Sequence, residues 1–333
     1  MKQHEADYYE SLEDNKVMCG LCPHMCKIAD KRTGTCGARM NRQGRLYSEI
    51  YGMVTALAMD PIEKKPLYHF HPGKQILSIG TKGCNLRCPY CQNWHISQDM
   101  KAHADCYSPG EIVRTALESD SVGIAYTYSE PVIWAEYVRD TAIPAREKGL
   151  KNVMVTNGFV NEKPLNDLLN CVDAMNIDLK CFREETFRRV HRGILSNVIS
   201  TIEKVYSRGC HLELTTLIVT GLNDSMDELS DIAGFISSID PGIPWHISRY
   251  YPNYKYNEPA TDIDFIMKVF EMASEKLDFV YCGNIPANVK GNDTVCPDCG
   301  SIAVKRLGYA VRIENMDKGR CASCGRELNI RVD

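Results

Sequence analysis

The chain has 333 residues, of which 44% are hydrophobic and 25% are charged, so it is long enough for one large domain with small appendages. Its formal net charge of −4 gives no general basic field, which argues against nucleic-acid binding. We expect no membrane association, because no apolar run is long enough to span a bilayer and no signal segment is recognisable.

The sixteen cysteines are unevenly distributed. Groups of four, three and four lie within residues 19–36, 84–91 and 296–324. Without a signal segment, this pattern favours reduced, metal-binding thiols over disulfides, and a cytoplasmic location. The other five are expected to be small buried side chains: Cys106, Cys171, Cys181, Cys210 and Cys282.

The N-terminal segment, residues 1–50, is predicted to be a small metal-binding module. Residues 1–18 are polar and acidic and indicate a loose arm or a short helix. Four cysteines then follow within eighteen residues and cannot form a core, so a metal is expected to hold them: Cys19, Cys22, Cys26 and Cys36. Zinc and an auxiliary iron–sulfur cluster are equally compatible with the spacing, and unbound thiols are the remaining alternative.

Residues 51–292 are predicted to form the main domain. Short apolar runs alternate there with amphipathic helices, which favours an α/β fold with a parallel sheet curled into a partial (β/α)6 TIM-type barrel. The predicted strands are 75–80, 122–127, 152–156, 173–179, 211–219 and 244–250. The predicted helices are 109–119, 131–148, 162–170, 184–207, 225–238 and 262–277, with Ser108 and Thr261 as N-terminal caps.

A cysteine loop follows the first of these strands. Cys84, Cys88 and Cys91 have C-x3-C-x2-C spacing, which can direct three thiolates toward one 4Fe–4S cluster. One iron would then lack a protein ligand and could bind a substrate or cofactor. Tyr90 places an aromatic ring beside this site. The alternative is a structural zinc site whose fourth ligand lies elsewhere.

Polar residues also mark the ends of later strands, where barrels of this type carry their chemistry. Alternation along a strand places Asp178 and Lys180 on one face, and His246 and Ser248 on another. Glu213 is the charged residue of the fifth predicted strand. A structural Asp178–Lys180 pair and a packing role for His246 are the alternative interpretations.

The C-terminal segment, residues 293–333, has two C-x2-C pairs separated by 21 residues. This spacing is typical of a zinc ribbon or a rubredoxin-like site, with zinc the favoured ion. The predicted ligands are Cys296, Cys299, Cys321 and Cys324. Four thiolates close the site, so a structural or docking role is expected.

Motifs over nearly the whole chain resemble a known family. They are Cys19-x2-Cys-Pro-His-x-Cys, the segment 60–70, the cysteine loop with Gln92-Asn93-Trp94, Ser129-Glu130-Pro131 and the C-terminal ribbon. Together they resemble the radical S-adenosylmethionine (radical SAM) enzymes of the AmmeMemoRadiSam system, which are related to the pyruvate formate-lyase activating enzymes.

The resemblance implies that Cys84, Cys88 and Cys91 hold a 4Fe–4S cluster whose open iron binds S-adenosylmethionine (SAM). Reductive cleavage would give a 5′-deoxyadenosyl radical that abstracts hydrogen from a substrate. It implies cofactor contacts by Tyr90, Ser129, Glu130, Thr156 and Asp178. It also implies an electron donor such as flavodoxin or ferredoxin, and a pathway association with Memo-type and Ammecr-type proteins.

Two departures separate the chain from the activating enzymes. Val155 stands where they carry an aspartate that helps to bind a monovalent cation, and Tyr250-Tyr251 stands near the position of their histidine. Glycyl-radical activation of a partner protein is therefore an alternative to an unassigned substrate. A zinc-dependent RNA-binding or RNA-modifying protein is a second alternative. The substrate and the oligomeric state stay open.

Overall fold

The structure is a computed structural model that describes residues 3–286 and 289–332. The outer limits of the predicted modules, residues 1–2 and 333, lie outside these ranges, as do residues 287–288. The main sheet has eight strands: β1 Ala56–Pro61, β2 Gln75–Gly80, β3 Gly123–Tyr126, β4 Lys151–Thr156, β5 Ala174–Asp178, β6 His211–Ile218, β7 Trp245–Arg249 and β8 Val280–Gly283.

The order of strands in the sheet follows their order in the chain. Strands β2 to β8 are parallel, and β1 pairs antiparallel with β2. The predicted partial barrel is confirmed, and all six predicted strands are present. Sequence analysis missed β1 and β8, which extend the sheet at its two edges.

Helices cover the outside of the sheet, as the alternating pattern predicts. The longer ones are Pro109–Glu118, Ala135–Glu147, Glu162–Leu169, Leu195–Ser207, Met226–Ile239 and Ile263–Ser274. Ser108 and Glu111 form the capping box that begins the first. The predicted cap Thr261 is wrong: Asp262 accepts the hydrogen bond from the Asp264 amide, and Thr261 bonds instead to Ile218.

Shorter elements complete the barrel. They are the helices Trp94–Ser97 and Glu184–Thr186, the 3-10 turns Ile62–Lys64 and Pro131–Trp134, and the π-helical turn Phe187–His191. Within the described ranges, no helix combines the length and apolar character needed to cross a lipid bilayer.

The N-terminal segment forms short antiparallel strands, so the predicted loose arm or helix at 1–18 is wrong for residues 3–18. These strands are His4–Glu5, Tyr9–Ser11, Val17–Cys19, Lys27–Ile28, Arg39–Arg42, Arg45–Ser48 and Met53–Val54, the last pairing with Asp105–Cys106. Val17, Leu21 and Leu46 are buried in the same core as the barrel helices. Burial against the barrel explains why so polar a segment is ordered.

The C-terminal segment forms the strands Thr294–Val295, Ile302–Leu307, Ala310–Ile313, Met316–Asp317 and Arg320–Cys321. Its apolar core includes Ala303 and Val304 and is shared with Tyr68 and Tyr281 of the barrel. The division of the chain at residues 50 and 292 stays a prediction.

The segment between β1 and β2 packs inside the sheet. Leu67 and Phe70 lie in one apolar cluster with Ile76 and Val153. Glu213 accepts hydrogen bonds from the backbone amides of Tyr68 at 2.9 Å and His69 at 2.7 Å, which are fixed in this way to the middle of β6. The inside of the sheet is therefore filled at this level. Open space for a ligand is therefore expected only at the carboxyl ends of the strands.

Candidate functional site

One large cavity opens at the carboxyl ends of the strands and has a volume of about 760 Å³. Cys84, Cys88 and Cys91 all lie on its wall, as their spacing predicts. Burial raises the pKa of Cys88 to about 11 and that of Cys84 well above its ordinary value. These thiols are therefore protonated at neutral pH unless a metal stabilises the thiolates.

Local contacts hold the three sulfurs in place. The Leu86 amide donates to Cys84 Sγ at 3.3 Å, and Ser97 Oγ lies 3.2 Å from Cys91 Sγ. Gly83, just before Cys84, has φ of +94°, and a Cβ there would lie 2.8 Å from the Cys36 carbonyl oxygen. Only glycine can occupy this position without displacing the loop.

His191 is a functional candidate that sequence analysis missed. Its Nδ1 lies 3.4 Å from Cys88 Sγ, and burial lowers its pKa to about 3, so the ring is neutral. It ends the π-helical turn, and its carbonyl accepts a hydrogen bond from the Arg87 amide. More than one hundred residues separate His191 from the loop, so no local pattern indicated this contact.

Glu130 supplies a buried carboxylate on the same wall. It accepts hydrogen bonds from Thr156 Oγ1 at 2.6 Å and from the amides of Val132 and Asn157, each at 2.9 Å. Burial raises the pKa of Glu130 to about 7, against the lowering effect of these donors. A carboxylate has about four acceptor positions, so one remains for a ligand.

The other predicted cofactor contacts also line the cavity. They are Tyr90, Ser129, Thr156 and Asp178. Tyr90 packs edge-to-face against His191, with ring centroids 5.8 Å apart. Asp178 pairs with Lys180 at 2.9 Å, as the structural alternative proposed, although both side chains face the cavity. Asp178 holds the pKa of Lys180 above its ordinary value despite burial.

The residues of this wall fit a 4Fe–4S cluster with an open iron and a bound SAM. Three thiols of one loop line the same cavity as a buried carboxylate that keeps one free acceptor position. The Ser129 hydroxyl is buried, and it has no hydrogen-bond partner among the described residues. An amino-acid ligand can satisfy both groups, which an apolar ligand cannot do.

A second charged cluster lies around Tyr128, directly before Ser129, and its members Lys64, Lys65 and Tyr128 line the cavity. Asp60 accepts from Lys65 Nζ at 2.6 Å, from Lys64 Nζ at 2.8 Å and from Tyr128 Oη. Burial lowers the pKa of Lys65, whose ammonium also lies 4.4 Å from the centre of the Tyr128 ring. Tyr128 has φ of +66°, which is strained for a bulky residue and fixes the turn before Ser129.

His246 makes the packing contacts of its alternative interpretation, and it also lines the cavity. Its Nε2 lies 2.7 Å from Glu213 Oε2, and its ring packs edge-to-face on Tyr68. Glu213 also bonds to His211 at 3.0 Å. Two residues differ from the activating enzymes, and they lie in different places. Val155 lines the cavity. Tyr250 is fully buried and donates a hydrogen bond to the Tyr256 carbonyl.

The C-terminal ribbon forms part of the cavity wall through Gly308 and Tyr309. It is anchored by Arg306, which is buried and donates to the Tyr68 carbonyl at 2.8 Å. The guanidinium carbon lies 4.2 Å from the centre of the Tyr68 ring and Nε lies 3.9 Å from Glu63. The ribbon is thus attached to the barrel beside the functional cavity.

The four ribbon cysteines could hold one metal ion. Their sulfurs lie within 4.8 Å of one another, with Cys296–Cys324 at 3.5 Å and Cys299–Cys321 at 3.6 Å. Tetrahedral zinc with Zn–S bonds of about 2.3 Å requires sulfurs about 3.8 Å apart, which this arrangement matches. The spacing fits a single ion and does not distinguish zinc from iron.

The N-terminal cysteines Cys19, Cys22, Cys26 and Cys36 are half-buried or buried. Burial raises the pKa of Cys22 to about 12 and also raises the pKa values of Cys19 and Cys36. No three of these sulfurs lie within 4.8 Å of one another; among residues 3–286 and 289–332, only the ribbon cysteines do so.

The basic side chains of the ribbon are largely paired with acids. Besides Arg306, the arginines 312, 320 and 326 form ion pairs with Glu314, Glu327 and Asp278, respectively. Paired side chains present little net charge to a phosphate backbone. The ribbon therefore gives the RNA-binding alternative no support.

Comparisons with known proteins agree with this site. A model of the Radical SAM superfamily matches residues 78–236, which contain the cysteine loop and strands β3 to β6. An uncharacterized protein of Methanocaldococcus jannaschii is 41% identical over 334 residues, covering 98% of this chain and 99% of that protein.

Two further similar proteins have a named function or a bound ligand. A protein of the same organism, named as a glycyl-radical enzyme activating enzyme, is 29% identical over 62% of this chain and 80% of that protein. The crystal structure of Streptococcus suis SuiB bound to S-adenosylmethionine has a TM-score of 0.50 at 12% identity. It covers 65% of this chain and 50% of that chain, and supports the fold alone.

Proposed function

Because this chain belongs to the radical SAM superfamily of enzymes, we propose that it reductively cleaves SAM and abstracts hydrogen from a second substrate bound in the same cavity. The family implies a 4Fe–4S cluster and SAM. The observation that carries the proposal is that three loop thiols and the buried Glu130 carboxylate line one cavity. When bound, the reduced cluster and SAM supply a 5′-deoxyadenosyl radical that removes a hydrogen atom from the substrate.

Residues on the cluster side bind and orient the cofactor in this proposal. Cys84, Cys88 and Cys91 hold the cluster, and Glu130 and Ser129 bind the amino group of SAM. Tyr90 lies beside the adenine. Thr156 fixes the Glu130 carboxylate through the 2.6 Å hydrogen bond, and Asp178 offers a second carboxylate to the cofactor.

The second substrate binds in the same cavity, in the space that the cofactor leaves. The cavity-lining residues without a proposed role toward the cofactor include Lys65, Tyr68 and Asn284, together with Tyr309 from the ribbon. Because 760 Å³ must hold the cluster and SAM as well, the remaining space suits a small molecule or one side chain of a peptide. The cavity volume therefore supports a small reacting group.

Glycyl-radical activation of a partner protein is the second candidate. The relative named as an activating enzyme and the resemblance to the pyruvate formate-lyase activating enzymes favour it. Val155, which replaces their cation-binding aspartate, and the ribbon wall around Tyr309 disfavour it. A glycyl-radical target would need to insert a loop past Tyr309.

We further propose membership of the AmmeMemoRadiSam system, with a pathway association with Memo-type and Ammecr-type proteins. Zinc is the proposed ion of the ribbon: the sulfur spacing fits a single tetrahedral ion, and two C-x2-C pairs of this kind are typical of zinc ribbons. A flavodoxin or ferredoxin is the proposed electron donor. The many reduced thiols and the need for such a donor make the cytoplasm the proposed location.

The test is anaerobic cofactor cleavage. The reconstituted protein is mixed with SAM and dithionite, and 5′-deoxyadenosine is measured for the wild type, for Cys88→Ala and for the control Cys171→Ala. We expect product from the wild type and the control, and a loss of at least a hundredfold in Cys88→Ala. Equal product from all three would overturn the proposal.

A further inference from the structure

The N-terminal cysteine module lies directly against the cysteine loop of the functional site. His24 Nε2 lies 2.7 Å from the Asn85 carbonyl oxygen, and the Arg87 guanidinium donates both to the Cys84 carbonyl at 2.6 Å and to the Thr35 carbonyl. The Cys36 carbonyl fills the space beside Gly83. Residues beside the N-terminal cysteines therefore contact residues beside the cysteines of the loop.

A methionine joins the same two segments. A Cβ on Gly37 would lie 2.8 Å from the Met100 Cγ, and a Cβ on Gly83 would lie 3.2 Å from its sulfur. Both glycines thus leave room for one thioether packed between the two cysteine groups. The two cysteine groups are thus joined by direct packing, which shortens an electron path between two centres.

The distances between the sulfur atoms distinguish the N-terminal module from the ribbon. The ribbon sulfurs lie within 4.8 Å of one another, as ligands of one ion do, whereas no three of the N-terminal sulfurs meet this limit in the part of the chain that is described. In an iron–sulfur cube each thiolate binds a different iron, so the sulfurs are farther apart than around one ion. The N-terminal sulfurs are therefore not gathered as ligands of one ion are, and their spacing is compatible with a cluster.

The sulfur environment is also suited to a redox centre. The Thr35 amide and hydroxyl lie 3.5 Å and 3.4 Å from Cys26 Sγ, and hydrogen bonds to cluster sulfurs tune reduction potentials. Cys26 and Cys36 are partly exposed, whereas Cys19 and Cys22 are buried. A donor protein could thus approach one side of the module while its other side contacts the cysteine loop.

We propose that Cys19, Cys22, Cys26 and Cys36 hold a second iron–sulfur cluster that passes electrons to the cluster at Cys84, Cys88 and Cys91. A low-potential donor protein of the flavodoxin or ferredoxin class gives one electron to the second cluster. The donor is thereby oxidised by one electron and the second cluster is reduced by one. The same electron then moves to the first cluster, with no bond formed or broken. The relay rests on the proposed function, but the existence of the second cluster does not.

Metal content tests the second cluster. Wild type, Cys26→Ala, Cys88→Ala and the control Cys171→Ala are purified anaerobically as full chains, and iron, sulfide and zinc are counted per chain. We expect Cys26→Ala and Cys88→Ala each to lose about four irons, with zinc unchanged, because each removes one cube. Cys171→Ala should lose no metal.

Electron paramagnetic resonance of Cys88→Ala covers the case in which Cys26→Ala fails to fold. This variant keeps the N-terminal cysteines and should show a reduced-cluster signal that SAM does not change. Loss of zinc instead of iron in Cys26→Ala, or no cluster signal in Cys88→Ala, would overturn the second cluster. Unchanged iron in Cys88→Ala would contradict the proposed function instead.

The choice of reductant tests the relay. With dithionite, which can reach either centre, Cys26→Ala should form 5′-deoxyadenosine within about twofold of the wild type. With reduced flavodoxin its initial rate should fall at least tenfold. Equal rates of the two proteins with flavodoxin would overturn the relay, and an equal loss with both reductants would show that the cluster only supports the fold.

Discussion

Glu130 shows how a single residue joins the fold to the proposed chemistry. Its carboxylate is fixed by Thr156 and by two backbone amides, yet it lines the cavity. Burial raises its pKa to about 7, so its charge changes near neutral pH. Binding of an amino group depends on the charged form.

Replacing Glu130 with glutamine should weaken SAM binding about tenfold to a hundredfold, since a hydrogen bond to a charged group contributes about 1.5–3 kcal/mol. Anaerobic calorimetry of the cluster-loaded protein measures the dissociation constant. The exposed Glu118→Gln is the matched control and should bind as the wild type does. An unchanged constant in Glu130→Gln would show that Glu130 does not contact SAM.

The raised pKa also predicts a pH dependence. Below a pH of about 7 the carboxyl of Glu130 becomes neutral, so the affinity of the wild type for SAM should fall with pH, by at most about tenfold per pH unit. The SAM affinity of Glu130→Gln should not show this fall below a pH of about 7. Without cofactor, the native state binds more protons than the unfolded state between pH 4.5 and about 7, so this residue lowers the free energy of unfolding as pH rises through that window.

Residues next to a recognisable motif were predictable from sequence, whereas their distant partners were not. The cavity position of Cys84, Tyr90 and Glu130 was predicted because they follow the carboxyl ends of predicted strands and match motifs of the radical SAM enzymes. His191 and Arg306 were missed because each contact crosses more than one hundred residues. Only the three-dimensional sheet brings such pairs together.

At the scale of elements, the ribbon is fixed to the barrel by one buried arginine. Arg306 donates to Tyr68 and Thr294, and lies beside Glu63 with its side chain fully buried. This contact holds the strand before Gly308 and Tyr309, which line the cavity. The position of the ribbon wall therefore depends on Arg306.

Replacing Arg306 with alanine should lower the free energy of unfolding by about 3–5 kcal/mol, because Glu63 is left buried without its partner. Denaturant unfolding of the metal-loaded protein measures the loss. The neighbouring exposed Lys305→Ala is the control and should change the value by about 0.5 kcal/mol or less. Equal effects of the two variants would refute the anchoring role.

Strand prediction succeeded where periodicity and turn residues agreed, and failed at the two edges of the sheet. β1 alternates exposed Leu57 and Met59 with less exposed neighbours, and its pairing depends on an antiparallel partner. β8 has four residues, too few for a clear pattern. The strands before Cys19 are likewise held by tertiary packing, so a polar composition did not indicate them.

At the scale of the molecule, the three cysteine groups differ in geometry and position. The ribbon group has the spacing of a single ion, and the loop group lines the cavity. The N-terminal group touches the loop through Cys36 and Gly83. In the proposed function, electrons would enter at the partly exposed N-terminal module and pass through the cysteine loop to the cavity that the ribbon also lines.

The most direct test of the central claim is electron paramagnetic resonance of the reduced protein with and without SAM. The account predicts that SAM shifts the signal of the cluster at Cys84, Cys88 and Cys91, because it binds the open iron. Cys88→Ala should lack the shifted component. A wild-type spectrum that SAM leaves unchanged, at concentrations where calorimetry detects bound SAM, would contradict the assignment of this cavity as the site of SAM cleavage.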